Sequence, residues 1–385
     1  MDLTDQPRKP DLLLAGGAVI AADGTPAGVR DVAVTAGRIT AIAADLPRGA
    51  GRVVDCSGAL VLAGLIDVHS HVHDGVFDVA VPPDEGHLRR GVVAVNDAGS
   101  VGASGFPGFL RHTVATAGPR VVCFLNLSSV GLVNIHVSEY ADPHAVDLDK
   151  AAGVAADHPD VVRGIKVRLS RSETGEQPLA ILDQALQLGE RTGLPLMAHV
   201  GATACGLDDI LDRLRPGDIV THSFHGKGEG LIQGGRVAAS AWRAGERGVL
   251  FDVGHGTTQM SYAVARTAIA EGFLPDLIGS DLSRRNWMKP AYDLATIAAK
   301  MVALGMTREQ VFGRVTVAAA EVLGLADEGY GRLTVGGPAC ITVLAEADTV
   351  VLPDAAQDQL QVDRFEPLLT VNHGAVVPPS PWRGR

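Results

Sequence analysis

The chain has 385 residues, 46% of them hydrophobic and 20% charged, and a formal net charge of -11. That acidic balance excludes a nucleic-acid surface, because phosphate binding needs a concentrated Lys/Arg face and no such run occurs. Asp2 and Asp5 precede any apolar stretch, unlike a signal peptide, and no apolar run reaches the roughly 18 residues of a membrane span.

Cys56, Cys123, Cys205 and Cys340 are widely separated and form no CxxC pair, which suits free thiols in a reducing compartment; the expected setting is cytoplasmic. The length fits one large domain with a smaller appendage, since an α/β barrel absorbs roughly 250 residues in one core. The ends, MDLTDQPRKP and PPSPWRGR, are polar and proline-marked and are expected to be loosely ordered.

In chain order, DLLLAGGAVIAADG, DVAVTAGRITAIAADL and GRVVDCSGALVLAG are short β-type runs punctuated by Gly, Asp and Pro. GRLTVGGPACITVLAEADTVVL and LLTVNHGAVV repeat that texture near the other end. The prediction is a small β-sandwich built from residues 1–62 and 333–385. Between them, GLIDVH, GVVAVNDAG, RVVCFLNLS, VRGIKVRLS, PLMAHVG, DIVTHSF, GVLFDVGHG and DLIGSDLS recur at crossover-length intervals, with helix-like stretches such as AILDQALQLGERTG between several of them. Strand-then-helix units of this length make parallel sheets. Eight of them predict an α/β fold, a (β/α)8 TIM barrel over residues 63–332. A doubly wound sheet is the alternative, but no GxGxxG follows any of these strands.

A barrel puts its chemistry at the C-terminal ends of its strands. The polar residues there are His69 and His71, Asp97, Asn126, Lys166 and Arg168, His199, His222, His255 and Asp281. Residues i and i+2 of a strand face the same way, so His69 and His71 form half of a metal site at the barrel mouth. A lone HxH is more often a hydrogen-bonded pair, and a lone core histidine such as His199 or His222 is more often structural; their repetition at one end of neighbouring units weakens both readings. Asp281 needs a cation or a donor if buried, or else caps the next helix. Lys166 is the unexpected member: an ammonium among metal-binding histidines should be repelled unless it pairs with Asp97 or Asp281 or is chemically altered.

This order of HxH, Lys, His, His and Asp on strands one, four, five, six and eight resembles the amidohydrolase superfamily of metal-dependent hydrolases. The phrases NDAGSVGASGFPGF, GIKVRLS, THSFHG and FDVGHG are similar to its deacetylase-like branch, often labelled dihydroorotase-like. The resemblance implies that Lys166 is carboxylated to a carbamate bridging two divalent metal ions, with zinc the default. It places His69, His71 and Asp281 on one ion and His199 and His222 on the other. Cys340 stands where the family often has Asp.

The implied reaction is hydrolysis of an amide or ester of a small carboxylate-bearing molecule by a metal-bridging hydroxide, with Asp281 relaying the proton. Arg168 shares parity with Lys166 and is expected to present its fork to a substrate carboxylate. His255, Asn126 and the adjacent Arg284 and Arg285 are further candidates for substrate binding, and HGKGEGLIQGG at 225–235 is expected to form a mobile loop over the site. The alternative is a cyclic amidase of the dihydroorotase or hydantoinase type. A non-catalytic scaffold is disfavoured by the full ligand set, and a mononuclear deaminase by Lys166. The expected partner is a small molecule, with no nucleic acid and no membrane, and a homo-oligomer is left open.

Overall fold

The structure, a computed structural model, describes residues 9–380. The loosely ordered ends expected from the sequence fall largely on residues 1–8 and 381–385, outside the described residues. Five short strands come first: β1 (Leu12–Ile20), β2 (Pro26–Thr35), β3 (Arg38–Ala43), β4 (Arg52–Asp55) and β5 (Leu60–Ala63). A register shift between Leu14 and Gly17 divides β1, whose first half pairs with β4 and whose second half pairs with β5. Such a bulge bends a strand. It lets one sheet fold over its own core of Leu14, Val32, Val61, Ile341 and Val371, giving the small sandwich.

The barrel follows as β6 (Leu65–Ser70), β7 (Val92–Gly102), β8 (Arg120–Asn126), β9 (Val162–Arg168), β10 (Leu196–His199) and β11 (Ile219–Thr221). A short hairpin, β12 (Ile232–Gln233) with β13 (Arg236–Val237), intervenes before β14 (Leu250–Asp252). The seven barrel strands run parallel in sequential order. All residues of β7 are buried, as expected of a strand covered on both faces. Helices on the outside carry ordinary start and stop signals: in Pro178–Thr192 a proline opens the first turn and Gly193, at φ +70°, ends it.

The eighth run departs from the expected regular strand. Residues 277–282 make only single bridges, Leu277 to Asp252 and Leu282 to Ser70. The cause is Asp281, whose φ of +48° cannot continue an extended ladder. Two buried aspartates hold the segment instead: Asp67 accepts from the Ser280 N–H at 3.0 Å and Asp252 from the Gly279 N–H at 2.7 Å. With the Asp281 N–H donating to the His69 carbonyl, these contacts close the barrel.

The chain then returns to the first sheet with β15 (Ile341–Pro353), β16 (Gln359–Asn372) and β17 (Ala375–Val377). The sheet order is β17-β16-β15-β5-β1-β2-β3, with β4 beside β1. Only Ile341–Leu344 of β15 pairs with β5; the rest of the hairpin leaves the sheet and lies along the helix Leu294–Ala303. Cys56, Cys123 and Cys340 are buried free thiols and Cys205 is half-buried. Among the described residues, no helix is long and apolar enough to cross a membrane.

Candidate active site

Parallel strands bring the predicted ligands to one mouth of the barrel. His69 and His71 leave β6, Lys166 lies near the end of β9, His199 ends β10, His222 follows β11, and Asp281 sits in the irregular eighth segment. His69, His222 and Asp281 each offer a ligand atom, and these atoms lie within 4.8 Å of one another. His71 Nε2 is 3.1 Å from Asp281 Oδ1, the His199 ring stands 4.2 Å from that of His222, and Lys166 Nζ is 3.2 Å from His69 Nε2. All six border, or lie beside, a cavity of about 120 Å³ walled by Phe77, Val79, Leu132 and Ile135.

The histidines are oriented from behind. His69 Nδ1 meets Thr221 Oγ1 at 2.8 Å and Asp252 Oδ2 at 3.1 Å, His71 Nδ1 meets Ser100 Oγ at 2.9 Å, and His222 Nδ1 donates to the Gly254 carbonyl at 2.6 Å. Each ring is thereby anchored at Nδ1 with Nε2 turned toward the site, the arrangement by which metal-binding histidines are fixed; His69 Nε2 faces Lys166 Nζ and His71 Nε2 faces Asp281. Burial, reinforced at His69 by the Lys166 charge and at His199 by His222, holds the pKa values of His69, His199 and His222 well below the ordinary imidazole value, so they stay neutral. Burial alone would raise Asp281, but the hydrogen bond from His71 and the nearby His69 and His222 keep it below the usual carboxylate range. The donor set of neutral imidazoles and an ionised carboxylate fits a divalent cation.

Lys166 is 1% exposed, and burial pushes its pKa down to about 8. Its stem passes over Gly99, where a Cβ would stand 2.6 Å from Lys166 Cγ. The ion pairs weighed for it are not formed: Asp97 accepts from the backbone N–H groups of Val72 and Ser100, and Asp281 does not reach Nζ. Apart from His69, its nearest partner is the Met197 thioether at 3.3 Å. Backbone at positive φ recurs here, at His222 (+64°) as at Asp281, and strain of this kind gathers at functional sites.

The substrate-binding candidates fare differently. Arg168 borders the cavity, but its guanidinium is held by Glu139 at 3.1 Å and Glu173 at 3.0 Å, two buried carboxylates that neutralise it. Asn126 is turned away from the cavity and donates to the Gly99 carbonyl and to Glu139. His255 is fully buried, with Nδ1 on the Gly256 carbonyl and Nε2 on Lys300, so it cannot reach a substrate. Arg284 points outward to Asp74 and the Ala80 carbonyl. Its neighbour Arg285 is the one that lines the cavity, and among the described residues it has no hydrogen-bond or ion-pair partner. Within 225–235, Lys227 Nζ donates to Thr258 Oγ1 on the cavity wall at 2.8 Å, and the rest turns into the β12–β13 hairpin. Sequence reasoning missed Thr221, Asp252 and Gln259; the first two stand beside His222 and inside FDVGHG, where a polar residue ending a buried strand was the available signal.

A scan against protein-family models found no match. A deacetylase of Agrobacterium fabrum is 35% identical over 341 residues, 87% of this chain and 83% of its own length. A deacetylase of Enterococcus faecalis is 32% identical over 373 residues, 95% of this chain and 98% of its own. A solved structure described as a dihydroorotase superposes with a TM-score of 0.89 at 31% identity, covering 96% of this chain and 99% of that one.

Proposed function

The chain belongs to the amidohydrolase superfamily of metal-dependent hydrolases, and from that premise we propose that it removes an acyl group from a small carboxylate-bearing substrate at a pair of divalent cations, zinc by default. In this reading His69, His71 and Asp281 would hold one cation, His199 and His222 would hold the other, and Lys166, once carboxylated, would supply an anionic oxygen ligand. When bound, such a pair supplies Lewis acidity that lowers the pKa of water and polarises a carbonyl.

The remaining chemistry belongs to the chain. A carbamate forms only on a neutral amine, and burial already weakens the hold of Lys166 on its proton. Asp281, kept ionised beside His71, accepts the proton of the attacking water and delivers it to the leaving group. The walls of Phe77, Val79, Leu132 and Ile135 exclude bulk water and receive the apolar part of the substrate. Arg285 takes the carboxylate, a role that Arg168 cannot fill while Glu139 and Glu173 occupy it.

The observation that carries this reading is the set of three imidazoles anchored through Nδ1, to Asp252, Ser100 and Gly254, with His69 Nε2 3.2 Å from Lys166 Nζ and His71 Nε2 3.1 Å from Asp281. Likeness to a structure described as a dihydroorotase favours a second reading, opening of a cyclic amide. A panel of N-acyl amino acids, acetylated hydroxy acids, dihydropyrimidines and hydantoins, assayed on the zinc-loaded enzyme, separates the two. Turnover confined to the rings would overturn the acyl-hydrolase reading.

A further inference from the structure

One buried ionisable group takes no part in the site described above. Lys300, in the middle of the helix Leu294–Ala303, is 0% exposed. A buried ammonium is costly unless every N–H is matched. Here all three are: Nζ donates to the Pro290 carbonyl at 2.6 Å, to His255 Nε2 at 3.0 Å and to the Pro353 carbonyl at 3.1 Å. The rings of Tyr262 and Tyr292 stand 5.7 Å away on either contact.

These three acceptors belong to three separate parts of the molecule. Pro290 is in the loop after the eighth barrel segment, His255 follows β14, and Pro353 ends β15 at the far tip of the hairpin that left the terminal sheet. The tip makes further contacts with the β14 loop. Asp354 accepts from the Tyr262 N–H at 2.8 Å, the Tyr262 hydroxyl donates to the Pro353 carbonyl at 3.0 Å, and the Ala355 N–H donates to the Met260 carbonyl at 3.1 Å.

What lies between His255 and Met260 is the wall of the active site. Thr257, Thr258 and Gln259 line the cavity, and the Gln259 amide nitrogen stands 3.5 Å from His199 Nε2. Because Lys300 donates to His255 Nε2, the ring proton sits on Nδ1 and is given to the Gly256 carbonyl. The Gly256 N–H donates to the Ser280 carbonyl at 3.0 Å, and a Cβ on Gly256 would come within 2.5 Å of Asp281 Oδ2. The backbone of Gly256 is therefore the surface against which the Asp281 carboxylate rests.

We propose that Lys300 is a positioning residue, which locks the tautomer of His255 and ties the hairpin tip to it, so that the terminal sheet domain holds segment 255–260 in register with Asp281. The functional part of this claim rests on the hydrolase reading of the site; the positioning part does not.

The test compares wild-type enzyme with Lys300→Met, using amide hydrogen exchange across residues 255–262 and steady-state kinetics on the best acyl substrate. Exchange in that segment should rise at least about tenfold, and kcat should fall about ten- to a hundredfold with KM changed by less than about threefold, as for a misplaced catalytic group. In a double-mutant cycle with His255→Phe the losses should not add, because the two side chains act through one contact. If Lys300→Met does not fold, Tyr262→Phe removes only the hydroxyl contact to the hairpin tip and should loosen the same segment. Unchanged protection with unchanged kcat would overturn the proposal, even if thermal stability fell. If the wild type hydrolyses no acyl compound, the hydrolase reading fails, while exchange in 255–262 still decides whether Lys300 positions the loop.

Discussion

The barrel mouth around Lys166 and the seam around Lys300 each bury a lysine almost completely, yet the two environments are built to opposite ends. At the seam three donors meet three oxygen or nitrogen acceptors drawn from three segments. At the mouth the same group faces an imidazole nitrogen and a thioether, and no carboxylate reaches it. Burial weakens the charge of both, to a pKa of about 8 at Lys166 and about 7 at Lys300. What separates them is the matching of donors to acceptors. A satisfied buried charge ties segments together; an incompletely matched one among histidines and a carboxylate is the kind of environment that gathers at functional sites.

Experiments that break the mouth should cost far more than those that break the seam. Stripping the cations with a chelator should abolish turnover, by at least about a thousandfold, with recovery on adding zinc. Asp281→Asn removes the proton acceptor and should lower kcat by roughly 10²–10⁴-fold, read from steady-state kinetics of the zinc-loaded variant. Asp252→Asn can keep an oxygen on the Gly279 N–H while losing the acceptor that His69 and Thr221 share, and should weaken metal affinity about 10–100-fold in a competition titration against a chromogenic chelator.

Arg285→Met should raise KM for a carboxylate-bearing substrate by about 10–100-fold, the worth of a lost charge-assisted hydrogen bond, and leave KM for its neutral amide within about threefold. Equal effects on both would remove Arg285 from substrate recognition. The smallest effect on the metal centre belongs to Lys300→Met, which leaves the Pro290 carbonyl and His255 Nε2 without their donor at roughly 1–3 kcal/mol each and should lower Tm while zinc per chain stays constant.

The gathering of polar side chains at one mouth was legible because a buried strand tolerates a polar residue only for a reason, and His69, His199 and His222 each stand at or just past such a strand end. The parity of HxH put two imidazoles on one side without any knowledge of the fold. The eighth segment was read as a regular strand because LIGSD looks like one; its irregularity comes from contacts with Asp67 and Asp252, far away in the chain. Arg168 had the right parity to face the substrate, but Glu139 and Glu173 reach it from loops whose path no local pattern encodes. The choice between Arg284 and Arg285 was likewise hidden, since neighbouring loop residues have no fixed periodicity. His255 was misread for the opposite reason: its position at a strand end was right, but Lys300, on a helix 45 residues later, turns its ring inward.

The most direct test of the central claim counts metal. Apo-protein reconstituted with zinc in bicarbonate buffer, desalted and measured by inductively coupled plasma mass spectrometry, should carry two ions per chain in the wild type. Lys166→Ala should retain fewer than about one and lose turnover with it. A wild type that binds no stoichiometric metal, or a Lys166→Ala variant that keeps both ions and its full rate, would contradict the account.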